Sequence, residues 1–262
     1  MLRVTNLSVR YGPLEIVRDV SFSVEEGQWL MLAGPNGAGK STILSAVSRG
    51  VPYTGTVLFG ETDVRKMKPV QLAKFMGMLT QNHYVGYDFT VEEVVRLGRY
   101  AYRADARSGV PEAEDTAVAR ALEMTGMTPF MKHSVLTLSG GELQRTFLAQ
   151  LFAQNPKVLL LDEPANHLDL IYQKQIFDLI SQWVKEPGRA VVSVVHDLSL
   201  ARTYGTHGLL IDRGAVVASG VLDGVLTREN LERVYQMDVY AYLTKQLAHW
   251  QGEATKEQEK RN

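Results

Sequence analysis

The stretch "WLMLAGPNGAGKST", residues 29–42, decides the fold. Its first five residues are apolar, which is typical of a strand buried on both faces of a parallel sheet. "GPNGAGKST", residues 34–42, then matches the pattern G-x-x-x-x-G-K-[ST], and the helix-like "STILSAV" leaves it. A strand, a glycine-rich loop and a helix in this order predict a phosphate-binding loop (P-loop), in which backbone amides and the helix N-terminus bind phosphate oxygens.

The residues of this loop have separable expected roles. Gly34, Gly37 and Gly39 allow the backbone to curl around phosphates. Lys40 supplies positive charge to the β- and γ-phosphates of a nucleotide, and the Ser41 hydroxyl offers a ligand to Mg²⁺. The predicted nucleotide-binding residues are Gly34, Pro35, Asn36, Gly37, Ala38, Gly39, Lys40, Ser41 and Thr42. The alternative is a glycine-rich surface turn, which the correct strand and helix flanks disfavour.

Two later apolar runs end in polar residues. "VLLLDE", residues 158–163, and "AVVSVVH", residues 190–196, predict buried parallel strands. Because such strands present ligands at their carboxyl ends, we expect Asp162, Glu163 and His196 beside the P-loop. Asp162 would hold Mg²⁺, Glu163 would accept a proton from attacking water, and His196 would contact the γ-phosphate or that water. The alternatives are two solvated acids at a strand end and a structural histidine.

The pattern along the chain predicts an α/β fold. Alternating runs within residues 1–33 indicate an N-terminal antiparallel β subdomain, and a hairpin is expected across Arg213-Gly214. Helical spacing from Thr90 onward, with a capping box to Glu93, predicts a helical subdomain inserted at about residues 82–155. We expect one domain over 1–245, with a mainly parallel P-loop core, and a frayed polar tail over 246–262.

"LSGGELQR", residues 138–145, is only partly explained by local structure. Ser139 and Glu142 have the spacing of a capping box, which accounts for a helix start. Gly140 and Gly141 are left over. They indicate either a tight turn or a ligand that approaches the backbone closely.

Composition disfavours several classes of function. A net charge of −1 argues against nucleic-acid binding, and the absence of cysteine excludes disulfides and thiolate metal sites. The histidines lack the spacing of a helical zinc pair. The N-terminus does not resemble a signal peptide, and no apolar stretch approaches the ~20 residues of a spanning helix.

Six motifs in order make the chain similar to the nucleotide-binding subunits of ATP-binding cassette (ABC) transporters. They are the P-loop, "LTQN" with Gln81, "LSGGE", "LLLDEP", "NHLD" and "VVHD". The resemblance covers about residues 2–240 and implies ATP and Mg²⁺ as cofactors. It also implies that Tyr11 stacks on adenine, that Gln81 senses Mg²⁺ and the attacking water, and that Asp169 lies in a loop crossing a dimer interface.

The resemblance further implies a head-to-tail dimer, in which the P-loop of one copy meets the LSGG segment of the other around a shared ATP. Ser139, Gly140, Gly141 and Glu142 would then contact ATP held by the partner, whose Lys40 supplies the charge that this segment lacks. The implied catalytic residues are Glu163, His196, Gln81 and Lys40, and the implied metal ligands are Ser41, Gln81 and Asp162.

Finer resemblance points to importers. "FTVEEVVRLGRY", residues 89–100, and residues 194–220 resemble the ATPases of iron-siderophore, haem and cobalamin uptake. This implies membrane permease subunits as partners, a substrate-binding protein indirectly, and a place on the cytoplasmic side of the membrane. Thr80 and Ala165 stand where relatives usually have proline and threonine. Neither supplies a reacting group, so we expect little effect on turnover.

Other interpretations remain open. The chain could serve an ABC transporter with another cargo or an exporter, or act as a soluble ABC ATPase, although it lacks a second cassette and a long coiled-coil insertion. A small-molecule P-loop kinase would have no use for "LSGGE". A non-catalytic subunit would typically have lost Glu163 or Lys40.

Overall fold

The computed structural model describes residues 1–81, 86–103 and 114–259. Four strands form an antiparallel sheet near the N-terminus, in the order β2-β1-β4-β5. These strands are β1 (Leu2–Tyr11), β2 (Leu14–Val24), β4 (Thr54–Phe59) and β5 (Thr62–Asp63).

In the part of the chain that the structure describes, the second sheet has six strands in the order β10-β9-β3-β8-β7-β6. They are β3 (Trp29–Ala33), β6 (Met76–Leu79), β7 (Val158–Asp162), β8 (Ala190–Val194), β9 (His207–Asp212) and β10 (Ala215–Val221). All neighbours in this sheet are parallel except the β9-β10 hairpin at one edge.

Eleven α-helices are found within the described ranges. They are α1 (Lys40–Val47), α2 (Pro69–Phe75), α3 (Val91–Leu97), α4 (Tyr100–Arg103), α5 (Glu114–Met124), α6 (Gly140–Gln154), α7 (Leu170–Val184), α8 (Leu198–Tyr204), α9 (Leu222–Val225), α10 (Arg228–Tyr235) and α11 (Val239–Glu259). Within these ranges, none of the helices combines the length and hydropathy that a membrane crossing requires.

Side-chain alternation on β3 divides the core into two. Leu30 and Leu32 pack with the antiparallel sheet and α1, whereas Trp29, Met31 and Ala33 face the other core, which the helices cover. Successive side chains of a strand point to opposite faces, so one five-residue strand anchors both cores. The P-loop therefore leaves a strand that is fixed on both sides.

The expected α/β class is confirmed, with the N-terminal antiparallel sheet and the mainly parallel second sheet. The hairpin between β9 and β10 is also present, with positive φ at Arg213 and Gly214. The capping boxes of Thr90 and Ser139 begin α3 and α6 as expected. Local signals were sufficient for all of these elements.

Some elements differ from the expectations or fall outside them. The sequence patterns did not predict α2, β6 or the C-terminal helices. Helix α11 continues through Glu259, because Ala, Lys, Gln and Glu are good helix formers, and the fraying expected over 246–262 stays a prediction. The insertion at about 82–155 includes residues 82–85 and 104–113, which lie outside the described ranges, so its boundaries stay a prediction.

Truncation of a core leucine tests the packing of the central sheet. Leu160 on β7 is fully buried, so Leu160→Ala should lower the free energy of unfolding by about 2–5 kcal/mol through lost burial and a residual cavity. Urea unfolding followed by circular dichroism measures this. The matched control is Leu247→Ala, because Leu247 is 61% exposed and its truncation should change stability by less than about 0.5 kcal/mol. Equal effects of the two variants would contradict the packing described.

Candidate nucleotide site

The P-loop connects β3 to α1 and borders a cavity of about 700 Å³. Gly37 and Gly39 have φ values of +77° and +98°, which other residues rarely adopt. A Cβ on Gly39 would also lie 2.9 Å from the Ile16 carbonyl oxygen. The lining residues are Ile16, Asn36, Gly37, Gly39, Lys40, Ser41, Thr42, Gln81, Glu163, Asn166, His167 and His196. The volume lies within the usual range of ligand pockets.

Lys40 is buried at the start of α1. Its Nζ donates hydrogen bonds to the carbonyl oxygens of Gly34 and Pro35, both at 2.8 Å. Burial lowers the pKa of Lys40, while the nearby carboxylates of Glu163 and Asp162 oppose this shift. The ammonium group is thus held in the loop, within a low-dielectric environment where its attraction for phosphate oxygens is strengthened.

Ser41 and Asp162 bring two oxygen donors together. The Ser41 hydroxyl donates a hydrogen bond to Asp162 Oδ1 at 2.9 Å. Burial raises the pKa of Asp162, and the hydrogen bond from Ser41 partly opposes the rise. A hydroxyl and a carboxylate beside a phosphate loop fit Mg²⁺, which binds through one or two carboxylates together with substrate phosphates.

Glu163 is the centre of a side-chain network at the same edge of the sheet. Its Oε2 accepts hydrogen bonds from Gln81 Nε2 at 2.8 Å and from Asn166 Nδ2 at 2.5 Å, and its Oε1 contacts His196 Nε2. The Glu163 side chain is 10% exposed and that of His196 is 41% exposed. The carboxylate is therefore fixed by three side chains from three separate segments.

The backbone explains how Glu163 leaves its strand. The chain turns directly after β7, at Glu163, whose φ is +53°. The Asn166 amide then donates to the Glu163 carbonyl at 3.1 Å, which closes a turn with Pro164 at its second position. Positive φ is uncommon in a residue other than glycine and is found where the surrounding structure holds it.

Asn166 belongs to this network although it was not among the predicted site residues. The same turn that redirects Glu163 returns Asn166 over it, so the amide side chain reaches the carboxylate. Proline at the second position of a four-residue turn was the available signal, since it predicts that the fourth residue lies near the first. His167, with φ +61°, continues this loop into the cavity wall.

Tyr11 and Asp169 lie apart from this network. Tyr11 ends β1 opposite Leu14 and is 52% exposed, and it is not among the cavity-lining residues, whereas Ile16 is. Asp169 caps α7, with its Oδ1 accepting a hydrogen bond from the Tyr172 amide at 3.0 Å. The roles that the resemblance implied for these two residues stay predictions.

The segment that begins α6 also lies outside the cavity of its own chain. Ser139 and Gly140 are exposed, and hydrogen bonds donated by the hydroxyl and amide of Ser139 hold the pKa of Glu142 below its usual range. The two glycines differ in their surroundings. Among the described residues, a Cβ on Gly140 would meet only Leu168 Cδ2 at 3.8 Å, whereas a Cβ on Gly141 would lie 2.6 Å from Cγ of Tyr172. Gly141 thus has a packing reason within its own chain, and Gly140 leaves the helix start open.

Comparison with known proteins identifies relatives over most of the chain. The family model described as ABC transporter matches residues 17–166. The chain is 36% identical to the iron(3+)-hydroxamate import ATP-binding protein FhuC of Bacillus subtilis (strain 168), over 90% of this chain and 88% of the relative. It is also 36% identical to the hemin import ATP-binding protein HmuV of Rhizobium etli, over 90% of each chain.

Another relative is longer than this chain. The uncharacterized ABC transporter ATP-binding protein YvrA of Bacillus subtilis (strain 168) is 37% identical over 92% of this chain, which spans about half (54%) of its length. Among solved structures, a dimeric ATP-binding cassette in a post-hydrolysis state with ADP and Pi superposes with a TM-score of 0.73. The two are 26% identical, and the match covers 86% of this chain and 100% of that one.

Proposed function

Because the chain belongs to the ABC transporter family of ATP-binding subunits, which hydrolyse ATP, we propose that it drives import of an iron-siderophore complex or haem through separate membrane subunits. The observation that carries the catalytic part is the Glu163 network. One carboxylate, held by Gln81 and His196, borders the same cavity as Lys40 and Ser41.

In this proposal Glu163 accepts the proton of a water aligned with the γ-phosphorus of ATP. Gln81 and His196 orient the carboxylate and that water, and His196 also reaches the γ-phosphate. Lys40 and the P-loop amides bind the phosphate oxygens on which charge develops.

Ser41, Gln81 and Asp162 would hold Mg²⁺, which when bound neutralises charge on the β- and γ-phosphates. The adjacency of the Ser41 hydroxyl and the Asp162 carboxylate supports this assignment. The other P-loop residues, Pro35, Asn36, Ala38 and Thr42, would contribute to the shape of the loop around the phosphates. Tyr11 would stack on the adenine at the end of β1.

A second copy of the chain would complete each site. Ser139, Gly140, Gly141 and Glu142 of one copy would contact the γ-phosphate of ATP bound by the other, and Asp169 would lie at the interface. Two observations support this: the helix start at Ser139 is exposed and outside its own cavity, and the similar cassette mentioned above is dimeric.

The proposed cargo and partners rest on the relatives. FhuC and HmuV are named for import of iron(3+)-hydroxamate and hemin. We extend this to an iron-siderophore or haem cargo for this chain, with cobalamin as a third candidate from the sequence resemblance alone. The partners would be membrane permease subunits, with a substrate-binding protein acting through them, and the chain would work on the cytoplasmic side of the membrane.

Glu163→Gln tests the catalytic assignment. The amide cannot accept a proton, so steady-state ATP hydrolysis should fall at least about a hundredfold, while ATP still binds and holds two copies together. A phosphate-release assay and size-exclusion chromatography with Mg²⁺-ATP measure the two properties. Glu61→Gln, on an exposed turn, is the matched control and should behave as the parent protein. Substantial turnover by the Glu163 variant would remove Glu163 from the role of base.

Ser139→Arg tests whether the α6 start serves another copy. The bulky cation should block ATP-induced dimerisation but leave ATP affinity of the single subunit largely intact, because Ser139 lies outside its own cavity. Calorimetric titration with ATP and light scattering report the two effects. Ser23→Arg makes the same change on an exposed position of β2 and should leave both unchanged. If ATP affinity of the monomer collapsed instead, this segment would act within its own chain.

Asn166→Ala tests the residue that the structure adds to the site. Loss of one of three contacts to the Glu163 carboxylate should lower kcat about tenfold with little change in the KM for ATP, because Asn166 positions that carboxylate. The control is Asn230→Ala. This change also removes a side-chain amide, one that donates to the Val225 carbonyl and does not line the cavity. A large rise in KM with unchanged kcat would show that Asn166 binds nucleotide instead.

A further inference from the structure

The first turns of α6 are tied to the segment that follows β7 by two contacts, which we call the clamp. Gln144 Nε2 donates a hydrogen bond to the Pro164 carbonyl oxygen at 2.6 Å. Gly141 packs against the ring of Tyr172. Pro164 directly follows Glu163, and the Tyr172 amide is bonded to Asp169. Each contact therefore ends beside a residue that the proposed function assigns to catalysis or to the interface.

The ring contact is closely fitted. A Cβ at Gly141 would lie 2.6, 2.7 and 3.0 Å from Cγ, Cδ1 and Cδ2 of Tyr172, well inside the ~3.5–4.0 Å at which carbon atoms attract. The Arg145 guanidinium, one turn along α6, lies 5.8 Å from the centre of the same ring. The Tyr172 side chain thus fills the space left by the missing side chain of Gly141, and displacement of either helix start moves the other.

We propose that the clamp couples the two nucleotide sites of the dimer, with Gln144 and Tyr172 as positioning residues. The proposal rests on the head-to-tail dimer proposed above, in which the start of α6 contacts ATP held by the partner. Binding of that ATP would fix the α6 start, and through Gln144 and Pro164 it would fix Glu163 in the chain's own site. ATP in one site would thereby set the catalytic geometry of the other.

The path is continuous and short. Packed and hydrogen-bonded contacts carry coupling between sites, and here the Gln144 side chain bridges the two segments. The acceptor of the Gln144 bond is the carbonyl of the buried residue Pro164, in the turn where Glu163 has positive φ. Loss of this bond would release the turn without removing any group that touches nucleotide. Turnover should then fall while ATP-induced association is retained.

Helix α6 supplies a matched control for Gln144. Gln154, at its other end, also donates from Nε2 to a backbone carbonyl, that of Ala73, at the same 2.6 Å, but it faces α2 and β6. Methionine keeps the length and helix preference of glutamine and removes the donor. Gln144→Met and Gln154→Met therefore delete the same kind of bond from the same helix, one at the clamp and one away from it.

The first experiment compares these two variants in the full chain. Gln144→Met should lower kcat for ATP about tenfold and leave the ATP concentration for dimerisation, measured by light scattering in the Glu163→Gln background, unchanged. Gln154→Met should hydrolyse ATP as the parent does. Tyr172→Ala should lower kcat as Gln144→Met does, whereas Tyr172→Phe keeps the ring and should hydrolyse ATP as the parent does. Equal kcat for Gln144→Met and Gln154→Met, or a loss of dimerisation in Gln144→Met, would overturn the clamp.

The second experiment uses two copies of the chain fused in tandem, with Glu163→Gln in one copy to silence its site. When Gln144→Met is placed in the other copy, it impairs the only active glutamate, and residual turnover should fall about tenfold. When both changes share one copy, turnover should match Glu163→Gln alone. If turnover fell only when both changes share one copy, Gln144 would act on the ATP held by the partner. If turnover were equal in the two arrangements, Gln144 would act on neither site. Either result would contradict the proposal.

These results separate the clamp from the function on which it depends. If the parent chain hydrolyses ATP and Glu163→Gln does not, the proposed function stands, whatever the clamp variants show. If Glu163→Gln retains full turnover, Glu163 is not the base, and the catalytic part of the proposed function fails.

Discussion

The level ends of three parallel strands are the constraint on which the site depends. In the sheet register Val194 of β8 pairs with both Leu32 of β3 and Asp162 of β7, so the three strands stop at the same height. The P-loop, the acidic pair and His196 all follow within a few residues of that line. The hydrogen-bonded pairing of the three strands therefore brings these residues together at the carboxyl edge of the sheet.

Above this edge, the chain relies on side-chain contacts for finer placement. Glu163 leaves its strand with positive φ and is held by Gln81, Asn166 and His196, which belong to different segments. These contacts fix a carboxylate beside the phosphate loop. Fixation of this kind lowers the reorganisation needed at the moment of reaction. It also makes Glu163 sensitive to whatever moves the turn that follows it, which includes the contact from Gln144.

Much of this could be predicted from local patterns. The P-loop, the two capping boxes and the β9-β10 hairpin each depend on residues close in sequence, and each was identified. Asn166 and Tyr172 were not identified. The contact of Asn166 depends on a strained turn, and the contact of Tyr172 depends on how α7 packs against Gly141 of α6. The glycines of the α6 start show the difference. Sequence alone treated them as a pair, whereas only Gly141 is buried against a ring.

Both the proposed dimer and the clamp depend on the sharing of each nucleotide site between two copies of the chain. Its most direct test is a structure of the Glu163→Gln variant with Mg²⁺-ATP, read for the residues within hydrogen-bond distance of the γ-phosphate. We expect Lys40 from one copy and Ser139 from the other, at two equivalent sites. A γ-phosphate contacted by residues of one copy alone, with Ser139 of both copies facing solvent, would contradict it.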